Sequence, residues 1–481
     1  MIITEELRKK YVTTIGIECH VQLKTKTKLF APVDNDARDA EPNTKVSVIC
    51  LGMPGALPVL NQHAVELAIK AGKALNSKIN LTSSFDRKHY FYPDLPKGYQ
   101  ITQFAAPIVG EGAIEVPSEE GSTTVRITRA HLEEDAGKST HPSGADYSLV
   151  DLNRAGTPLL EIVSEPDMHS AAEARAYAHE LYLLMKYADV SDADLYHGNM
   201  RFDVNISIAP AGASELGNRA EIKNINSFRS VERAVEFEVA RQIEILEKGG
   251  IVEQETRGWD EDRAKTIAQR SKENAHDYRY FPDPDIPPLD LDQSFIDEQL
   301  INMPTLPAEY RAEFAAIGLT PSVIASLLEM PDITHMISDI LKSDNPAKAS
   351  HAKRIALWMV NVLTEEITSL DLPQEQLLTL SAMTESNKLS ATAAKEIFTA
   401  VIQDRVDPEA YATEKGLLQE SDASALEALV ADVLAANQKA ADDVRAGEMK
   451  AIGFLVGQIM KASQGRANPA MVQAIIKKQL G

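Results

Sequence analysis

Hydrophobic and polar residues alternate along several short segments of the first 295 residues, and this pattern predicts β-strands. In the clearest segment, 14–23, every second side chain is apolar, whereas Glu18 and His20 lie on the other face. The same alternation predicts strands at 201–208 and 219–223. The polar faces of these two strands carry Arg201, Asp203, Asn205, Ser207, Arg219, Glu221 and Lys223.

Two long amphipathic helices are predicted between the strands. The first begins with a capping box formed by Ser170 and Glu173 and runs to about Ala188. The second runs from Ser227 to Lys248, where two glycines end it. Strands alternating with such helices predict an α+β fold, built on an antiparallel sheet with one charged face.

The chain changes character twice, which predicts three domains. A proline-rich segment at 282–288 precedes a region with helical spacing of apolar residues, and a second break lies near 404–416. The predicted domains are an α+β domain, 1–295, an all-α domain, 296–407, and a small helical tail, 408–481.

Charge and cysteine content exclude several classes of protein. A net charge of −22 over 481 residues argues against a general polyanion binder, although residues 441–481 carry six basic and three acidic side chains. We find neither a membrane-spanning apolar run nor a signal-peptide pattern. Two cysteines cannot form a cysteine-only zinc site, so we expect a cytoplasmic protein without zinc.

Several acidic side chains are candidates for metal binding. Glu18 with His20 is a pairing typical of metal ligands, and Glu161 lies within an apolar strand, where an unpaired charge is costly to bury. The segment 131–138 adds Glu133 and Glu134, and the pattern does not choose between them. Carboxylates with one imidazole suit Mg²⁺ bridging the phosphates of a nucleotide.

If ATP binds, basic side chains must contact its phosphates, because the sequence contains no Walker A motif. A G-x-S-x-G elbow is also missing from the sequence, so a hydrolase with its own serine nucleophile is not indicated. The candidate cofactor-binding residues are Arg87, Lys88, Arg129, Arg154, Arg201, Asp203, Asn205 and Lys223.

Other interpretations of these patterns remain open. A charged sheet face is often simply solvated, and Cys50 is most simply a buried core residue.

A series of long motifs resembles the B subunit of the tRNA-dependent amidotransferases (GatB), and the resemblance covers nearly the whole chain. In the first half these motifs are I-G-I-E-C-H-V-Q-L-K-T, L-G-M-P-G-A-L-P-V-L-N, F-D-R-K-H-Y-F-Y-P-D-L-P-K-G-Y-Q-I-T-Q, H-L-E-E-D-A-G-K-S-T-H and D-L-N-R-A-G-T-P-L-L-E-I-V-S-E-P-D. They are followed by R-F-D-V-N-I-S-I, A-E-I-K-N-I-N-S-F, Q-E-T-R, D-Y-R-Y-F-P-D-P-D-I-P-P-L and the tail G-F-L-V-G-Q-I-M-K-A-S-Q-G-R-A-N-P, which resembles the YqeY-type end of the family.

The resemblance implies a catalytic cradle similar in fold to glutamine synthetase and guanido kinases. In the family, Mg²⁺ is surrounded by residues that correspond to Glu18, His20, Glu134 and Glu161. The implied reaction phosphorylates the side-chain carboxylate of Glu-tRNA(Gln) or Asp-tRNA(Asn) with ATP and replaces the phosphate with ammonia. The sequence does not say which of the two tRNAs is used. Two other functions remain open, a non-catalytic tRNA-binding scaffold and an amide ligase for small molecules that does not use RNA.

The resemblance also implies partners. The family's amidase (GatA) would deliver ammonia through a tunnel, and a small third protein (GatC) would hold the two larger ones together. An inserted domain like part of aspartyl-tRNA synthetase is not evident, which favours the bacterial three-subunit form. The basic tail is expected to bind tRNA through Lys450, Lys461, Arg466, Lys477 and Lys478.

Overall fold

The computed structural model describes residues 5–118, 121–271, 277–362, 372–419, 423–448, 450–463 and 467–480. The chain divides into two compact units, 1–307 and 308–481. The finer division into three domains remains a prediction from the sequence. Within the described residues, no helix is both long enough and apolar enough to cross a membrane.

The first unit contains all of the strands that the structure describes, and most of them join one large mixed sheet. The strands are β1 (Tyr11–Gln22), β2 (Thr82–Ser83), β3 (Asp86–His89), β4 (Tyr99–Thr102), β5 (Gly112–Ser118), β6 (Gly121–Glu134), β7 (Lys138–Thr140), β8 (Leu149–Asp151), β9 (Pro158–Ser164), β10 (Met200–Pro210), β11 (Ala220–Ile225), β12 (Glu255–Asp260), β13 (Lys265–Ser271), β14 (Phe281–Pro282) and β15 (Leu289–Asp290). The order in the large sheet is β13-β12-β11-β10-β1-β9-β6-β4-β3-β14, and β5 pairs with β6. Its described pairs are antiparallel except β11 with β12, which confirms the general form of the α+β prediction.

Helices cover one face of this sheet. The helices of the first unit are α1 (Glu5–Lys10), α2 (Gln62–Ala74), α3 (Ala171–Tyr187), α4 (Phe228–Glu247) and α5 (Gln293–Leu300). The alternating apolar residues of β1, among them Ile15, Ile17 and Cys19, are buried in one core with side chains of α2, α3 and α4. The polar residues of the same strands therefore lie on the opposite face.

Both long helices begin where the sequence predicts. Ser170 accepts a hydrogen bond from the backbone N–H of Glu173, whose side chain accepts one from the backbone of Ser170, so the predicted capping box is confirmed. Ser227 caps α4 through the backbone N–H of Ser230. The chain leaves α4 through Gly249, whose φ of +72° lies in the left-handed region that favours glycine.

The second unit is helical. Its helices are α6 (Pro307–Ala316), α7 (Pro321–Leu328), α8 (Pro331–Lys342), α9 (Lys348–Asn361), α10 (Gln374–Glu385), α11 (Ala391–Asp404), α12 (Pro408–Glu414), α13 (Ala423–Ala436), α14 (Gln438–Arg445), α15 (Lys450–Ala462) and α16 (Pro469–Leu480). The last four share a core of their own, which includes Val430, Leu455 and Ile476.

Candidate active site

Neighbouring strands at the centre of the large sheet place polar side chains next to one another on the face opposite the helices. On the central strand β1, Glu18 is paired with Asp203 of β10, and His20 is paired with Glu161 of β9. Glu161 is in turn paired with His131 of β6. Residues paired across a sheet point to the same face, so the register assembles one charged surface.

His20, Glu133 and Glu161 form a compact cluster on this surface, with ligand atoms that all lie within 4.8 Å of one another. His20 Nε2 lies 3.6 Å from Glu133 Oε1 and 3.5 Å from Glu161 Oε2. Two carboxylates and an imidazole are a donor set that fits Mg²⁺ or Mn²⁺. We call these three residues the His20 cluster.

A second imidazole, that of His131, flanks the same two carboxylates. Its Nε2 lies 3.4 Å from Glu161 Oε2 and 3.8 Å from Glu133 Oε2. The residue is only 5% exposed, and Nδ1 is buried with no hydrogen-bond partner in the described part of the chain. His131 is not among the site residues that the sequence predicts.

The electrostatics of the His20 cluster favour a positive charge between its carboxylates. Burial by itself would lower the pKa of His20, but contact with Glu161 and the negative charges of Glu161, Glu133 and Asp203 raise it to about 9. Burial would raise the pKa of Glu161, whereas the charge of His131 and the contact with His20 hold that pKa well below its ordinary value. The protonated imidazole of His20 can supply this positive charge, and a metal cation bound between the carboxylates would supply it instead.

Glu134, the residue that the resemblance indicates as a metal ligand, lies outside this cluster. Its Oε1 accepts a hydrogen bond of 2.9 Å from the backbone N–H of Ile101 and forms an ion pair with Lys97. Side chains alternate along β6, so Glu133 shares the face of His131, and Glu134 does not. The structure thus brings Glu133, and not Glu134, close to His20 and Glu161. The role of Glu134 as a metal ligand remains a prediction from the resemblance.

Glu18 belongs to a second acidic group, in which the ligand atoms of Glu18, Asp203 and Glu221 also lie within 4.8 Å of one another. Lys223 Nζ lies 2.9 Å from Asp203 Oδ2 and 2.7 Å from Glu221 Oε1. Asn205 Nδ2 donates a hydrogen bond of 3.0 Å to Glu18 Oε1. Burial, followed by the neighbouring carboxylates, raises the pKa of Glu18. This group lies beside the His20 cluster, with which it shares only strand β1.

Three of the predicted basic residues also face the His20 cluster or border it. Burial would lower the pKa of Lys88, but the charges of Glu133 and Glu161 contribute to raising it. Arg129 lies two residues before His131 on β6, and its buried Nε has no hydrogen-bond partner among the described residues. The guanidinium of Arg201 donates a hydrogen bond of 3.2 Å to Asp135.

Arg87 and Arg154 have other contacts. Arg87 donates hydrogen bonds of 2.7 Å to Asp283 and 2.8 Å to Asp285, and its guanidinium lies 4.2 Å from the centre of the Tyr99 ring. The structure therefore turns Arg87 away from the polar face that its neighbour Lys88 shares. Arg154 donates two hydrogen bonds to backbone carbonyls in the turn after β6 and is partly exposed.

In the tail, Lys450, Lys461, Lys477 and Lys478 are exposed on α15 and α16. Lys478 forms an ion pair of 2.9 Å with Glu427. The predicted contact Arg466 lies outside the described residues. A role for these side chains in binding tRNA remains a prediction.

The polar face has the groups that phosphoryl transfer requires. Carboxylates can hold a divalent cation, and buried or partly buried cations next to them can neutralise phosphate oxygens. The described residues of this face contain no serine or cysteine placed next to a histidine as a nucleophile. The arrangement therefore favours a reaction in which positioning and charge, rather than a covalent enzyme intermediate, lower the barrier.

Comparison with known proteins gives consistent matches along both units. Residues 13–297 match the family described as the GatB/GatE catalytic domain, and residues 336–480 match the family described as the GatB domain. The chain is 45% identical over 479 residues to the B subunit of the aspartyl/glutamyl-tRNA(Asn/Gln) amidotransferase of Alkalilimnicola ehrlichii, which covers 98% of this chain and 99% of the relative. It is 43% identical to the protein of the same name from Carboxydothermus hydrogenoformans, again over 98% and 99%. The B subunit of the chloroplastic/mitochondrial glutamyl-tRNA(Gln) amidotransferase of Ostreococcus lucimarinus is 44% identical over 98% of this chain and 97% of its own length.

Proposed function

The chain belongs to the GatB/GatE family, which comprises the B subunits of tRNA-dependent amidotransferases, and we propose that it activates the side-chain carboxylate of a misacylated tRNA with ATP. The substrate is the glutamyl group of Glu-tRNA(Gln), the aspartyl group of Asp-tRNA(Asn), or both. The observation that supports this proposal most strongly is the His20 cluster on the polar face of the sheet. In this proposal the first unit is the catalytic cradle, similar in fold to glutamine synthetase and guanido kinases.

The proposed reaction has two chemical steps. An oxygen of the side-chain carboxylate attacks the γ-phosphorus of ATP, and ADP leaves with the electrons of the broken P–O bond. Ammonia then attacks the acyl phosphate, which releases inorganic phosphate and a proton and leaves the amide. This makes the enzyme a carbon–nitrogen ligase, and its side chains act mainly by positioning the reactants and balancing charge.

The residues of the polar face divide these tasks. His20, Glu133 and Glu161 would hold Mg²⁺, which when bound neutralises phosphate charge. Lys88 and Arg129 lie where phosphate oxygens near this cluster would meet a positive charge, and Arg201 borders it. Glu18, Asp203, Asn205 and Lys223 form the adjoining group, which can orient a second cation or the substrate amine.

The same proposal includes partners. Ammonia comes from the amidase (GatA) through a tunnel, because the polar face has no nucleophile in its described residues that could release ammonia from glutamine. The small third protein (GatC) completes the complex, which acts in the cytoplasm. Lys450, Lys461, Lys477 and Lys478 contact the tRNA backbone, as their exposure permits.

The test is amidation of Glu-tRNA(Gln) by the co-expressed complex, with ATP, Mg²⁺ and free ammonium, which bypasses the amidase. Glu161→Gln should lower Gln-tRNA formation at least about a hundredfold, because it removes one charge at the centre of the site. The matched control is Glu115→Gln, which changes an exposed carboxylate on β5 that accepts hydrogen bonds from Ser122 and Thr124. Glu115 pairs with Thr124 of β6, nine residues before Glu133 along that strand. Equal activity of the two variants, or amidation without ADP formation, would contradict the proposal.

A further inference from the structure

The segment 278–285 lies along strand β3 at one end of the large sheet, and the function proposed above gives it no role. Its strand β14 pairs with β3. On one side of this pairing, the backbone N–H of His89 donates a hydrogen bond of 2.8 Å to the carbonyl of Tyr278. On the other side, the backbone N–H of Asp283 donates one of 2.8 Å to the carbonyl of Phe85. The segment is therefore attached to β3 on both sides of the strand pair.

The two neighbouring cations of β3 contact this segment in different ways. Arg87 forms ion pairs of 2.7 Å with Asp283 and 2.8 Å with Asp285. Among the described residues, neither a hydrogen bond nor an ion pair holds the ammonium of Lys88, and its Nζ lies 4.9 Å from the centre of the Tyr278 ring. An ammonium within about 6 Å of a ring centre is attracted by the negative face of the ring. The same segment thus holds one cation with carboxylates and the other with an aromatic ring.

Two further aromatic side chains support the Tyr278 ring. The ring of Tyr280 contacts that of Tyr278 edge to face, with 6.0 Å between the centres, and stacks on Phe104 at 4.0 Å. Burial raises the pKa of Tyr280, and the positive charge of Lys88 opposes this shift, so Tyr280 also lies close to the ammonium. The three rings form a continuous aromatic support beside Lys88.

An aromatic ring can hold an ammonium without cancelling its charge. A carboxylate in the place of Tyr278 would neutralise Lys88, as Asp283 and Asp285 neutralise Arg87. An uncharged ring fixes the position of the ammonium and leaves its positive charge available to an anion. Such an anion would lie at the His20 cluster, which Lys88 faces.

We propose that Tyr278 is a positioning residue for the reaction, because its ring holds the Lys88 ammonium where a phosphate oxygen of ATP would meet it. Tyr278 acts through Lys88 and not on the substrate directly, and Tyr280 with Phe104 keeps the ring in place. The identity of the anion rests on the proposed function. The contact between Tyr278 and Lys88 can be tested without it.

The first experiment compares Tyr278→Leu with Tyr278→Phe in the full complex, by amidation kinetics at varied ATP concentration. Leucine keeps the apolar bulk but removes the ring, so it should raise the KM for ATP about fivefold and change kcat less than about twofold. Phenylalanine keeps the ring and should keep the KM within about twofold of wild type. In a Lys88→Gln background, Tyr278→Leu should change the KM less than about twofold, because the ring acts through the ammonium.

The second experiment follows the same contact without substrate, by acetylating the full complex with acetic anhydride and measuring modified Lys88 by peptide mass spectrometry. The ring covers the amino group, so Lys88 should be acetylated at least about threefold faster in Tyr278→Leu and at the wild-type rate in Tyr278→Phe. The matched control is Tyr411→Leu, which removes a ring of α12 whose centre lies 5.6 Å from Lys415 Nζ. This control should change neither the KM for ATP nor the acetylation of Lys88.

The inference is overturned if Tyr278→Leu leaves the acetylation of Lys88 unchanged, or leaves the KM for ATP unchanged in an active complex. It is also overturned if Tyr278→Phe raises the KM as much as Tyr278→Leu does, which would assign the role to the hydroxyl group. An equal rise in KM on the wild-type and Lys88→Gln backgrounds would show that Tyr278 does not act through Lys88. If the wild-type complex makes no Gln-tRNA but Tyr278→Leu still speeds acetylation, the proposed function fails and the contact between Tyr278 and Lys88 remains.

Discussion

The two faces of the large sheet are built from the same strands but are held together by different forces. On one face, residues such as Ile17 and Phe202 are 0–1% exposed and pack into a core with three helices. On the other face, Glu18 and His20 lie among carboxylates that repel one another and among cations that these carboxylates partly neutralise. One residue along the chain therefore separates side chains that stabilise the fold from side chains that hold charge together for chemistry.

Substitutions on the two faces should therefore have different effects on stability and activity. Substitutions on the core face should lower stability and affect activity only through unfolding. Substitutions on the polar face should lower activity while changing stability little, or even raising it, because functional sites retain charges that the fold alone does not need.

The largest expected effect is on the core face. Phe202→Ala should lower the free energy of unfolding by about 3–5 kcal/mol, since it removes a fully buried ring from a packed core. Asn205→Ala, on the polar face of the same strand, removes one hydrogen bond and should lower it by about 1 kcal/mol. Urea unfolding of the two variants measures the difference. Equal midpoints would remove the distinction between the faces.

Arg87 and Lys88 test the comparison with adjacent residues. Arg87→Gln should destabilise the first unit by about 1–3 kcal/mol, because the buried carboxylate of Asp283 loses its cation. It should leave the KM for ATP unchanged, whereas Lys88→Gln should raise that KM. Urea unfolding and amidation kinetics separate the two outcomes. A raised KM for Arg87→Gln with unchanged stability would place Arg87 at the phosphates after all.

A smaller effect is expected at His131, which contacts two ligands of the proposed metal site without belonging to the set of three. His131→Gln should weaken binding of Mn²⁺ about tenfold, since neighbours that orient metal ligands typically contribute that much. Amidation should recover at high Mg²⁺. If added Mg²⁺ did not restore activity although the variant bound Mn²⁺ normally, His131 would act on the substrate instead.

The smallest effect has the opposite sign. Glu18 lies beside two other carboxylates, and its raised pKa shows that its charged form is disfavoured in the folded state. This destabilisation grows as the pH rises through the pKa of Glu18, so at pH 7 Glu18→Gln should raise the free energy of unfolding by up to about 1 kcal/mol while lowering activity. Thermal unfolding at pH 7 measures the gain. A loss of stability would mean that favourable contacts of the Glu18 carboxylate outweigh its repulsion by the neighbouring carboxylates.

The sequence predicted the parts of the fold that depend on local chemistry. The alternation in β1, the capping box at Ser170 and the start of α4 at Ser227 depend on side-chain period and on hydrogen-bonding groups within a few residues, and all three predictions are confirmed. These signals do not depend on which strands become neighbours.

The parts that the sequence alone could not predict depend on which face a residue occupies within a strand. Glu133 and Glu134 are adjacent, as are Arg87 and Lys88, and in each pair one residue faces the His20 cluster while the other is bonded elsewhere. A shift of one residue exchanges the two faces. For β6 a signal was present, because the apolar residue Leu132 shares its side with Glu134, which leaves His131 and Glu133 on the polar side. For β3, the partners of Arg87 are 196 and 198 residues away in sequence and could not be anticipated.

We propose that the polar face holds its metal through His20, Glu133 and Glu161, and this assignment can be checked by counting bound Mn²⁺ with electron paramagnetic resonance. We expect Glu133→Gln to lose one equivalent of bound Mn²⁺ relative to wild type, whereas Glu134→Gln, in which an amide oxygen can still accept the hydrogen bond from Ile101, should retain it. Both variants should be assembled with their partner proteins and compared at the same pH. Loss of the bound ion in Glu134→Gln but not in Glu133→Gln would rule out Glu133 as a ligand and assign the ligand role to Glu134.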